Sequence, residues 1–184
     1  MRTLFIITFF TFLSLSNFAQ DSSTIAYNKL TKLFLTDIYK NHFAEGKIVV
    51  AKKLDPFTIK QILDVINEPT LNRSIVFKGS RNKNVLIRLS LQEKMFIRYQ
   101  LHVQDCSWLT NNYKNVDIST DTILRNNLST LYYYSRPIFI RNNNLCLFYS
   151  GSHCGSLCGG GLLALYKKIN GKWKMYWTIF SYIS

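Results

Sequence analysis

The stretch Ser150-Gly-Ser-His-Cys-Gly-Ser-Leu-Cys-Gly-Gly-Gly161 gathers two of the chain's four cysteines, one of its three histidines and five of its eight glycines. Cysteine and histidine so close together can cross-link, ligate zinc, or act as nucleophile and base. Cys154 and Cys158 can pair across a glycine-containing turn in an oxidising compartment. Cys106 and Cys146 supply variant pairings, since four cysteines allow three full connectivities. The disulfide is the leading expectation, and its effect is to fix the shape of a loop.

Zinc would use His153, Cys154 and Cys158, but a structural site needs a second ligand pair that the chain does not offer at the usual spacing. No metal and no other cofactor is therefore expected. A nucleophilic thiol at Cys154 or Cys158 would need His42, His102 or His153 as base. Neighbouring side chains in an extended segment point to opposite sides, so His153 and Cys154 do not pair locally. No catalytic residue is assigned, and a secreted hydrolase or thiol enzyme is kept as the alternative. Cys146, inside an apolar run, fits the role of a packed, reduced cysteine. Ser152, His153, Gly155, Ser156, Leu157 and Gly159 form the expected binding loop, about eleven residues joining strands at 145–150 and 162–169.

The elements that position this loop are legible in hydrophobic period and turn residues. Helical spacing predicts a helix over 22–40, with Asp21 or Ser22 as cap. Lys47–Lys53 reads as a strand, and Asp55-Pro56 caps a helix over 57–66. A strand at 74–78 precedes a turn at 79–84. Ser90-Leu-Gln-Glu93 has capping-box spacing and starts a helix towards His102, with a strand as the competing reading. A short helix is expected at 120–126. From Leu131 onward, β-prone runs alternate with turns at Asn142–Asn144 and Asn170-Gly171, which predicts an antiparallel meander. Strict alternation puts Trp173, Met175, Trp177 and Ile179 on one face of the last strand. Tyr132–Tyr134 could stack on sugars or bases, although a core strand is the simpler expectation. The fold class is α+β, with N-terminal helices packed on one face of a C-terminal β-meander.

Arg2, an apolar run from Leu4 to about Leu15 and Ala19 have the layout of a signal peptide over 1–19, leaving a single domain over 20–184. The run is shorter than the roughly 20 residues of a spanning helix, and no transmembrane segment is expected in the mature chain. The protein is accordingly expected to be exported, periplasmic or secreted. The chain is 47% hydrophobic and 15% aromatic, which excludes a disordered polymer. Loss of Arg2 takes the formal charge from +13 to +12. Such a field suits an anionic or acidic partner: a protein, a glycan or an envelope glycolipid. The basic residues are scattered, so no nucleic acid is expected. No carboxylate follows Asp121, which leaves the sheet half unable to build a calcium site or a two-carboxylate glycosidase by itself.

Tyr134-Ser-Arg-Pro-Ile-Phe139, Cys154-Gly-Ser-Leu-Cys-Gly159 with Gly161, and Asn170-Gly-Lys-Trp173 together resemble the C-terminal segment of small exported proteins of Bacteroidetes-type bacteria. Phe18-Ala-Gln20 is similar to the end of their signals. The resemblance spans about the last fifty residues and implies export and a hairpin, with no known activity. Taken together, these readings lead to an exported, non-enzymatic binding or interaction module, an inhibitor-like or immunity-like protein being one version, with a braced loop and a basic surface.

Overall fold

The computed structural model describes residues 24–39, 43, 47–68, 87–103, 105–110, 113–120, 130–155 and 158–183. The expected signal peptide, the expected strand at 74–78 with its turn, and residues 121–126 of the expected helix at 120–126 lie outside them, as do His42, Ser156 and Leu157. The helices are α1 (24–39), α2 (Pro56–Asn67), α3 (Leu91–Val103) and the single turn α4 (Ser107–Thr110). The strands are β1 (Ile48–Ala51), β2 (Val116–Ser119), β3 (Leu131–Tyr134), β4 (Ile138–Ile140), β5 (Leu145–His153), β6 (Gly159–Ile169) and β7 (Lys172–Ile183). Helices cluster early and strands late, which makes the fold α+β.

Local chemistry sets the helix starts. Asp55 accepts from the Thr58 backbone N–H at 2.9 Å and from the Thr58 hydroxyl at 2.6 Å, while Pro56 occupies the first turn, where no N–H is missed. At α3 the Ser90 N–H donates to Glu93 at 2.8 Å and the Glu93 N–H to the Ser90 hydroxyl at 3.1 Å. This reciprocal cap selects helix over the competing strand.

The sheet runs β2-β1-β3-β5-β6-β7, with β4 also paired to β5. Strands β5, β6 and β7 form the expected antiparallel meander, joined at Asn170 and Gly171, both at positive φ. The expected meander accounts for only part of the sheet, which is mixed. At its other side β1 lies between β2 and β3 and is parallel to both, an arrangement reached only by long crossovers.

Helices cover both faces of the sheet, which corrects the one-face expectation. On one face Phe34 of α1 meets Phe148, Tyr166 and Trp173 edge-on, with ring centroids 5.1–5.5 Å apart. On the other, Ile62 and Ile66 of α2 and Ile97 and Leu101 of α3 share a core with Leu147, Leu163 and Leu165. The reason is written in β5, where Leu145–Tyr149 is apolar at every position and buried on both sides.

Strict alternation also fails along β7. Trp177 opposes Leu165 and Met175 opposes Tyr166, which leaves Tyr176 unmatched, and Ile179 is unmatched in the same way. Each such bulge flips the strand by one residue. Trp173 therefore packs in the α1-side core and Trp177 in the opposite one.

Candidate functional site

The cysteine-bearing stretch folds as the closed end of the β5–β6 hairpin. Ser152 pairs with Gly160 and His153 with Gly159, so both strands run further than their apolar residues suggest. The connection shrinks from the expected eleven residues to the five from Cys154 to Cys158. Cys154 and Cys158 form a disulfide, with Cα atoms 5.2 Å apart. The Cys154 N–H also donates to the Cys158 carbonyl at 2.9 Å, and Gly155 takes φ +117°. Of the expected loop, Ser152, His153 and Gly159 are thus ladder residues and Gly155 a turn residue. His102 sits in the last turn of α3.

Cys106 and Cys146 are free and buried in the α1-side core. The Cys106 thiol donates to the Tyr134 carbonyl at 3.4 Å. Burial, reinforced by the neighbouring Asp105 charge, pushes this thiol up to about 12. Burial alone raises Cys146 well above its ordinary value. Neither is a ready thiolate, and sulfurs joined in a disulfide are not nucleophiles. Among the described residues no cluster of three or more His, Cys, Asp or Glu side chains could hold a metal ion.

Beside the disulfide end, the α1-side face of the sheet opens into a cleft of about 610 Å³. Register builds it: Tyr134, Ser150, Leu162 and Ser181 lie in one cross-strand row, and Tyr132, Ser152, Gly160 and Ile183 in the next. Serines and glycine make a low floor between tyrosines and aliphatic side chains. Tyr39, near the end of α1, overhangs it beside the Ser150 hydroxyl; burial pushes its phenol up to about 12, so it stays protonated at any ordinary pH. On the opposite face, Tyr149 lies against Gly151 and Gly161 and its hydroxyl is 3.0 Å from that of Tyr182.

The other end of β6 is basic. Lys167 stands directly opposite Lys174, with Lys168 and Lys172 beside them, all four exposed. Lys167 lies over the Tyr176 ring at 5.2 Å. By contrast, Lys47 is paired with Asp117 at 2.8 Å and Arg141 with Glu93 at 2.9 Å. The sequence brought the glycine-cysteine stretch and the basic surface into one expectation; the fold separates this basic cluster from the disulfide. Sequence reasoning missed the cleft, because its floor is polar and its walls come from four strands and a helix.

Compared with family models, with curated proteins and with solved structures, the chain matches none of them. Among the described residues no helix is long and apolar enough to cross a membrane.

Proposed function

We propose that the chain is an exported, non-enzymatic binding module that meets an anionic or acidic partner through its basic surface, as its signal-like N-terminus and its resemblance to small exported proteins suggest. The observation that carries the reading is the Lys167–Lys174 pair at the β6–β7 turn. Like charges directly opposite across two strands repel. No ion pair among the described residues relieves them, and the chain has no carboxylate after Asp121. A carboxylate, sulfate or phosphate seated between the two ammonium groups turns that repulsion into attraction. The disulfide braces the far end of the same hairpin system, so β6 presents its lysines from a strand held at both ends.

The test is retention on dextran sulfate and on polyglutamate. Binding should weaken steeply between about 0.05 M and about 0.5 M salt, as the screening length shortens. Reversing Lys167 and Lys174 to Glu should cost tenfold or more, while reversing Lys52 and Lys53 costs much less. Retention indifferent to salt and to the Lys167 and Lys174 reversals would sink the reading.

A further inference from the structure

The cleft on the α1-side face calls for a different ligand from the lysine cluster. Its described lining has no acidic or basic side chain. What it offers is a fixed aromatic wall and a floor of hydroxyls. Tyr132 and Tyr134 are stacked within 3° of parallel at 6.1 Å, and Tyr134 is stacked on Phe148 at 6.0 Å. Tyr134 and Phe148 are buried, so the half-buried Tyr132 is the outer ring of a braced stack. Opposite these tyrosines, Ser152 and Ser150 hold the floor low, and Gly160 extends it into β6.

Three ligand chemistries can be separated on these residues. A nucleic acid or acidic peptide needs cations, which the described lining lacks. A hydrocarbon chain would bury the Ser152 hydroxyl without giving it a partner, at a cost, and would offer nothing to the hydrogen-bonded Tyr39 and Ser150 hydroxyls beside it. A neutral pyranose satisfies both surfaces. Its C–H face stacks on an aromatic ring, and its hydroxyls donate and accept as serine and tyrosine hydroxyls do. The cleft volume lies inside the ~300–1,000 Å³ range of small-ligand sites.

We infer that this cleft is a binding site for an uncharged glycan chain, with Tyr132 as the stacking platform and Ser150, Ser152 and Tyr39 as its hydroxyl contacts. The site is separate from the lysine cluster: Gly160 and Lys167 are seven residues apart on β6, about 23 Å at the usual strand rise. It does not rest on the anionic-partner reading.

The test is an array of neutral β-1,4- and α-1,4-linked hexose and N-acetylhexosamine oligomers, followed by calorimetric titration of any oligomer retained by the full mature chain. We expect saturable binding to at least one oligomer, unchanged by added salt and unchanged when Lys167 and Lys174 are reversed to Glu. Tyr132→Ala should weaken it tenfold or more. Ser152→Tyr fills the floor without removing a wall and should abolish it; circular dichroism verifies that each variant is folded. If Tyr132→Ala does not fold, Ser152→Tyr decides alone. No binding to any neutral oligomer, or binding that a folded Ser152→Tyr leaves intact, overturns the inference.

Discussion

At Gly161 a hydrogen in place of a Cβ decides how the two longest strands pack. A methyl group there would overlap the Tyr149 hydroxyl and the Tyr182 ring, and one at Gly151 would come within 2.7 Å of the same hydroxyl. Glycine inside a strand is otherwise unfavourable, so these two are explained by the tyrosines that occupy their space. We expect Gly161→Ala to destabilise by about 1–3 kcal/mol, the usual cost of overpacking, read as a lower midpoint in urea. The buried thiols give a second expectation. With its thiol pushed up to about 12, Cys106 is thiolate at pH 8 in on the order of one molecule in ten thousand. Iodoacetamide should therefore label neither Cys106 nor Cys146 in the native protein and both in urea. The same burial sets a pH dependence. The unfolded chain releases these protons near about pH 8.5, while the folded chain holds the Cys106 proton to about 12. Stability is full below the lower value and falls as pH rises above it. Tyr27 and Tyr39, raised to about 12 by burial, add to the fall once the pH passes their unfolded value. A urea midpoint that rose between about pH 8 and about pH 10 would contradict this sign.

Elements differ in how far their own residues specify them. The start of α2 is local: Asp55, Pro56 and Thr58 are neighbours, and the cap forms whatever the rest of the chain does. Asp55→Ala should cost about 1–2 kcal/mol without changing the urea m-value, because the folded core is untouched. The same locality made the Ser90/Glu93 box legible. Strand β7 is the opposite case. Its bulges at Tyr176 and Ile179 exist only relative to β6, and no period within Lys172–Ile183 reveals them. Trp177→Ala would empty the place the Tyr176 bulge gives this ring, opposite Leu165 in the core shared with Leu147 and Leu163. We expect a loss on the order of 3 kcal/mol or more, the scale of removing a large buried aromatic, measured by thermal unfolding. Mild destabilisation would mean that the bulge does not seat Trp177 firmly in that core.

For the whole molecule, two features follow from layering. A sheet covered on both faces leaves its ends as the accessible places, and the lysine cluster and the tyrosine cleft lie towards opposite ends of β6. Their separation of about 23 Å exceeds the screening length of about 8 Å at physiological salt. Charge reversal at Lys167 and Lys174 combined with Tyr132→Ala should give additive effects on stability, within about 0.5 kcal/mol. A larger coupling would mean that β6 transmits strain between its ends.

What depends on near neighbours could be read along the chain: the capped starts of α2 and α3, the Asn170-Gly171 reversal, the apolar strands of the C-terminal half, and the proximity that lets Cys154 meet Cys158. The chain's basicity was legible too, since charge is a sum over residues. Folding in three dimensions was needed to set which strands are parallel, to place helices on both faces, and to put Ser152, His153 and Gly159 in a ladder. It also decided that Trp173 and Trp177 point to opposite cores, and that Tyr39, Tyr132, Ser150 and Gly160 meet in one cleft. The physical reason is range. Caps and tight turns are set by atoms a few residues apart, whereas register, layering and a cleft floor are set by partners far along the chain, which short-range pattern does not specify.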